Sequence, residues 1–305
     1  MPSRSGRPTG SIPGAVGLAV TLGLTVLTLA TGSIASSSRA STDLSSRASA
    51  GQPAVRVAPP VPPRPRVLTI GDSAHAGIER NGAFAALRGA SFEVRGESCR
   101  RLVRPSCDLR GTGAPPTALE TLRSTPLDAF DVVVLHVGHN DQMPAFGDHA
   151  VQIYQAAKAA GIDIVIWLTQ SPELRSDLGG APAFQVYERH NAVIRFLAST
   201  RPDVHVVEWS SMVRQRSQYA YPDGIHLRQL GGFAVADAIS RAVAHVTFRP
   251  CPMPETPAAQ PPDPCPDPND RPPVDVAALY DLGTRIIPCA TEGPRRETVC
   301  RWDVG

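Results

Sequence analysis

Five short apolar-rich runs, separated by stretches of helical periodicity, constrain this chain more than any other feature of it. The runs are Val67–Ile70, Ser91–Val94, Asp131–Val137, Ile162–Leu168 and Val204–Trp209. Each is too short for an ordinary helix and is bounded by turn residues, so each reads as a strand. Near-continuous apolar character implies burial on both faces, which is the condition of a parallel sheet covered by helices. Helical spacing fills the gaps: part of 77–89, Pro116–Arg123, Asp148–Ala160, Ala183–Ser199 and Gln229–Ala244. Right-handed crossovers leave few ways to connect such units. The expected fold class is therefore α/β, a three-layer doubly wound domain with about five parallel strands over residues 66–248. No internal repeat is visible.

The flanks differ in composition. Arg4 and Arg7 precede a moderately apolar run, Ala15–Ala30, and Ser33 and Ala35 then have the spacing of a signal-peptidase site. Residues 1–35 are read as an export signal. The competing reading is an uncleaved anchor, since Ala15–Ala35 nearly spans a bilayer core of about 30 Å; its Gly and Thr content argues against that. Residues 36–65 are rich in Ser, Ala and Pro and read as a linker. Residues 249–305 form a Pro-rich tail with one short helix expected at Val276–Tyr280. The tail is read as a rigid extension, the alternative being a small module that binds envelope polymer. The formal net charge of +2 gives no sign of a nucleic-acid partner, and Lys158 is the only lysine among the basic residues.

Three strand ends carry residues suited to one reaction. Val67–Ile70 stops at Gly71-Asp72-Ser73. A strand that ends in such a turn holds a serine at the carboxyl edge of the sheet, where open α/β folds bind ligands. The run Val132–Val137 breaks at Gly138-His139-Asn140-Asp141, and a parallel sheet brings Asn140 out at the same edge. Its amide could donate to developing negative charge; a plain Asx turn is the competing reading. Further on, Asp223-Gly224-Ile225-His226 precedes Gly231-Gly232 and a final amphipathic helix. That spacing lets the carboxylate hold one imidazole nitrogen and leaves the other to take a proton from a hydroxyl.

In this order the three stretches resemble the SGNH (GDSL-like) hydrolase family. The resemblance covers residues 66–247. It implies a flavodoxin-like fold and serine-dependent ester chemistry without metal or cofactor. It also implies Ser73 as nucleophile, His226 as base and Asp223 as the group that orients it. The Ser73 N–H, the Asn140 side chain and a glycine N–H after the second strand would form the oxyanion hole. Gly96 is the candidate for that glycine, although the family's surrounding Gly/Ser pattern is missing and a cysteine loop follows. Leu227 stands where the family often has proline. Asp72 is expected to orient its loop.

The six cysteines suit an oxidising compartment. Cys99 and Cys107 enclose an Arg-rich loop, Arg100–Arg104, read as a solvated face, and a disulfide there would stiffen one wall of the site. For Cys251, Cys265, Cys289 and Cys300 the sequence leaves three pairings open; we favour 251–265 with 289–300 over a zinc site. His75, Trp167 and Trp209 are candidates for lining an acyl pocket, with packing as the equal alternative. The expected substrate is a small-molecule, glycan or lipid ester, and association with the cell envelope is expected. Two other classes stand beside the hydrolase: an envelope O-acyltransferase using the same triad, and a non-catalytic binding module. Every motif lies upstream of Arg249, so a chain ending there is expected to keep its activity.

Overall fold

The computed structural model describes residues 63–303 apart from 109–110, 112, 172–179, 253–263, 271–278, 280–281 and 294. The expected export signal, nearly all of the linker and, except for Leu279, the helix expected at Val276–Tyr280 lie outside the described residues. So does most of the loop that follows Ser171.

The apolar runs form strands where expected. β1 is Arg66–Gly71, β2 Ser91–Gly96, β3 Val132–His136, β4 Ile164–Leu168 and β5 Val204–Val207. They pair in parallel in the order β5-β4-β3-β1-β2. All of β3 is buried, and full burial of a Val or Leu side chain contributes about 1.5–3 kcal/mol. This explains why the central strands have no polar alternation.

Helices cover both faces. α2 (Ala118–Ser124), α3 (Phe146–Ala159) and α4 (Gly180–Thr200) lie on one side. Here Leu68, Ile70, Val133, Leu135 and Trp167 meet Leu119, Phe146, Ile153 and Ile194. α2 begins with a reciprocal capping box between Thr117 and Glu120. The opposite side holds α1 (Gly77–Arg80), α5 (Trp209–Gln215) and α6 (Gln229–Val246). There Val67, Phe92, Val94 and Val134 pack with Ile78, Trp209, Phe233 and Ile239.

Two local expectations change. The fifth run ends as a strand at Val207, and Trp209 opens α5, whose Ser210 N–H donates to Thr169 Oγ1 at 2.9 Å. The apolar composition of 204–209 concealed the turn between two buried elements. α6, expected to be amphipathic, is buried continuously from Gly231 to Ala244. Its Asp237 and Arg241 pair at 2.8 Å, and the tail covers its end, where Ala244 packs with Cys251 and Cys265.

The larger difference lies in the tail. β6 (Cys289–Glu292) and β7 (Glu297–Asp303) form an antiparallel hairpin. β7 pairs antiparallel with β2, matching Ser91 to Asp303 and Val94 to Cys300, so the sheet has seven strands. Read alone, Glu-Thr-Val-Cys-Arg-Trp-Asp is short and charged and lacks the apolar run of an inner strand, although β2 and β6 flank it on either side. Its partner is about 200 residues away in sequence, and only the fold makes that pairing visible. The sheet crosses the boundary expected at residue 248. All six cysteines are paired: Cys99–Cys107, Cys251–Cys265 and Cys289–Cys300. That removes thiolates as zinc ligands. Among the described residues, no helix is long and apolar enough to cross a membrane.

Candidate active site

β1 and β3 are neighbours, but the chain leaves β1 for β2 on the far side. A crevice therefore opens at their carboxyl ends, as at the switch point of any doubly wound sheet. Ser73 leaves β1 there, half-buried, on a tight turn in which the Ala76 N–H donates to Asp72 O and the Gly77 N–H to Ala74 O, both at 3.0 Å. The turn folds back so closely that a Cβ on Gly71 would lie 2.0 Å from His75 Cβ; no other residue fits. His75 then lies beneath the loop with Nε2 2.9 Å from Thr69 Oγ1. Burial pushes its imidazole down to about 4, so it sits neutral in the interior.

Asp72 ties the serine loop to the loop after β3. One carboxylate oxygen accepts from the Ala74 N–H at 3.0 Å. The other accepts the N–H groups of Gly138 and His139 at 3.1 Å and faces His139 Nδ1 at 3.1 Å. The side chain is wholly buried. Burial alone would raise the carboxyl, but His139 and the hydrogen bonds outweigh it and hold the group well below its ordinary range. A depressed carboxylate contributes stability that is complete above its unfolded value of about 3.9 and lost as pH falls toward the folded value. Asp72→Asn should therefore cost about 2–4 kcal/mol at neutral pH. It should also flatten the decline of melting temperature below about pH 4. Thermal unfolding from pH 7 to pH 3 checks both, and an unchanged acid slope would rule out this role.

Asn140 follows in the same loop. Its Nδ2 donates to the Arg100 carbonyl at 3.1 Å. A carbonyl only accepts, so this contact fixes which end of the amide is the NH2 group, and it leaves the second N–H for another acceptor. Next to it, Asp141 accepts from the Leu102 N–H at 3.0 Å and faces His149 at 3.4 Å; burial raises its carboxyl to about 6. The spacing of Asn140 and Asp141 to the serine loop is thus held by Asp72 from below and by the 100–102 backbone from the side.

Asp223 and His226 meet as their spacing implied. His226 Nδ1 lies 2.8 Å from Asp223 Oδ2, and Asp223 Oδ1 accepts the N–H groups of Ile225 and His226 at 2.9 and 3.0 Å. Burial works to raise Asp223, but the His226 hydrogen bond and the two amides prevail and keep it below its usual range. The turn is closed by Tyr221 N–H to His226 O at 2.8 Å and by the Ala220–Leu227 bridge. Leu227 then docks on α1: a Cβ on Gly77 would meet Leu227 Cβ at 2.9 Å, and Asn81 Nδ2 donates to the Leu227 carbonyl at 3.3 Å. Gly77 is only four residues past Ser73. The acid–imidazole pair is therefore seated on the helix that follows the serine, and Leu227, in place of the expected proline, is the packing residue that seats it.

Gly96 ends β2 beside Gly71. A Cβ there would stand 2.7 Å from Ala76 Cα and 2.9 Å from Ala76 N, so the backbone of the β2 loop touches that of the serine turn. Only glycine permits that approach. Ser73, Gly96, Asn140 and the Asp223–His226 pair are thus all placed at one end of the sheet.

Other expectations change. Trp167, Trp209 and His75 are at most 1% exposed. Trp209 stacks on Tyr219, and Trp167 packs against Phe146. They are interior packing residues, not pocket walls. Arg100, expected on a solvated face, is wholly buried. It pairs with Glu297 of β7 and donates from Nη1 to Arg95 O at 2.7 Å and from Nε to Pro116 O at 3.0 Å. No local pattern signals this, because the counter-charge lies 197 residues away. A groove of about 760 Å3 runs between α2 and the β6–β7 hairpin, but it is lined by residues such as Glu93, Phe130 and Arg301 and by none of the residues gathered around Ser73.

No family model and no curated protein matches the sequence. Among solved structures, the chain is similar to an aryl esterase of M. smegmatis in its inhibitor-bound form, at 16% identity and a TM-score of 0.46, over 59% of this chain and 98% of that one. It is likewise similar to a lipase/acylhydrolase from Enterococcus faecalis, at 16% identity and a TM-score of 0.43, over 58% and 94%. A member of the lipolytic G-D-S-L family from Veillonella parvula matches at 14% identity and a TM-score of 0.42, over 56% and 93%.

Proposed function

We propose that this chain is an exported serine ester hydrolase of the SGNH type, acting on small acyl esters of a carbohydrate or lipid-like alcohol. The observation that carries this reading is the Asp223–His226 pair, closed at 2.8 Å and docked through Leu227 onto the helix that follows Ser73. A serine hydroxyl is a weak nucleophile until a base takes its proton. In the proposed mechanism His226 Nε2 accepts that proton as Ser73 Oγ attacks the ester carbonyl. Asp223 holds the imidazole in the required tautomer and stabilises the imidazolium. The tetrahedral oxyanion is received by the Ser73 N–H, the second Asn140 N–H and the Gly96 N–H. His226 then protonates the departing alcohol, and water, activated by the same imidazole, releases the acid. Export is supported by the Arg-led apolar segment at the start of the chain and by three disulfides.

The test is product partitioning. With p-nitrophenyl acetate as donor and chito-oligosaccharides as acceptor, most acyl groups should appear as free acetate. Transfer of most of them to the sugar would replace the hydrolase reading with the O-acyltransferase. Absence of turnover with either acceptor would remove both. Within the mechanism, Asn140→Ala should lower kcat by about 10^2–10^3, the usual result of losing one oxyanion donor. An unchanged kcat would leave Asn140 as a turn residue.

A further inference from the structure

The buried charges beneath the β2 loop are arranged in a way that the proposed mechanism does not require. Glu297, on β7, is 5% exposed. Its Oε2 accepts from Arg95 Nη1 at 3.0 Å, while its Oε1 pairs with Arg100 Nη2 and accepts from Thr121 Oγ1 at 2.9 Å. Each nitrogen of the Arg100 guanidinium has a partner, among this carboxylate and the carbonyls of Arg95 and Pro116. Its plane and position are therefore fixed on three sides. The backbone carbonyl of the same residue is the acceptor that holds the Asn140 amide. A second tie runs parallel to the first: the Thr298 N–H donates to Glu97 Oε1 at 2.6 Å, one residue past Gly96. Burial makes the Arg100 charge costly, and the Glu297 carboxylate does most to offset that cost. Two polar contacts of the tail, Glu297 with Arg100 and Thr298 with Glu97, thus reach the segment that carries both the Gly96 and the Arg100 backbone.

We propose that Glu297 is a positioning residue for the oxyanion hole: from the C-terminal hairpin it anchors Arg100, whose carbonyl sets the Asn140 amide. The inference rests on the hydrolase reading above. It assigns the tail a part in the reaction through the segment that follows β2. A carboxylate at this position fixes the Arg100 guanidinium; the guanidinium fixes the local backbone; the backbone orients one N–H of Asn140 and so aims the other. Misplacement of such a donor weakens its bond to the transition state more than its bond to the ground-state ester. The expected signature is a fall in kcat without a matching rise in KM.

The experiment is a double-mutant cycle on the full-length protein with p-nitrophenyl acetate, with melting temperature measured for every variant. Glu297→Gln should lower kcat by about tenfold, a part of the roughly 10^2–10^3 that loss of an oxyanion donor costs. KM should stay within about twofold, because substrate binding is untouched. In an Asn140→Ala background the same substitution should change kcat by less than about twofold, since its route of action is already gone. Glu297→Asp keeps the buried charge balanced and withdraws the carboxylate by one methylene. It serves if the glutamine variant does not fold, and the same pattern is expected. Equal falls in kcat in both backgrounds, or a change confined to KM, would overturn the inference and leave the hydrolase standing. A wild-type protein without Ser73-dependent turnover would overturn the hydrolase reading, and this inference with it.

Discussion

A chain ending at Arg249 should fail to form a stable, active enzyme. Removing the tail strips β7 from β2 and leaves the edge of the parallel sheet open. It also leaves Arg100, wholly buried, without Glu297. An uncompensated buried charge costs about 3–5 kcal/mol, against a total stability of roughly 5–15 kcal/mol for a domain. Apolar cover is lost as well, since Leu279, Val299 and Cys300 are buried and Trp302 packs against Phe84. The expected result is insoluble protein or a melting temperature lowered by well over about 10 °C, using the usual 2–4 °C per kcal/mol for a domain this size. Thermal unfolding of the truncated chain checks it. A truncated chain that melts near the full-length value and hydrolyses esters would show that the hairpin is an ornament.

This expectation reverses the one drawn from sequence alone, and the reversal shows what a sequence can reveal. Four of the five parallel strands were legible because their central residues are buried on both faces and so read as apolar runs; β5, at the sheet edge with His205 and Val206 half-buried, was legible from its valines. The Ser73 turn and the Asp223–His226 pair were legible because each sits on a short turn with local bonding, Asx-type at Asp72 and reciprocal at Asp223; Asn140 was legible as a strand-end residue, although its amide is held by Arg100, 40 residues away. Gly96 was legible only as a strand-ending glycine; its contact with Ala76 needs the third dimension. β7 was hidden because it is short and charged, and the charges that matter in it, Glu297 with Arg95 and Arg100, are partners across some 200 residues. Trp167 lies near the end of β4 and Trp209 just beyond β5, which suggested a pocket; their side chains turn into the layers between sheet and helix.

The second large effect concerns the proposed base. His226→Ala should lower kcat by roughly 10^4–10^6, because Ser73 then has no proton acceptor. Asp223→Asn should lower it by about 10^4 while leaving the turn in place, since an amide no longer favours the tautomer with a proton on Nδ1. Asp223 also accepts two backbone amides at 2.9 and 3.0 Å, so the asparagine variant should melt slightly earlier than the parent. The pair should act as a unit: the double variant should be little slower than His226→Ala alone. If the two losses multiply in full, Asp223 does not work through His226, and the carboxylate and the imidazole must have separate roles.

Covalent labelling of Ser73 tests the proposed nucleophile most directly. An organophosphonate ester reacts only with a serine that has both a base and an oxyanion hole, and the phosphonyl adduct can be located by peptide mass spectrometry. One adduct is expected, on Ser73, formed in proportion to the loss of esterase activity and absent in Ser73→Ala. Labelling should be slower in His226→Ala. A phosphonate adduct on another serine, or labelling undiminished in Ser73→Ala, would contradict the assignment.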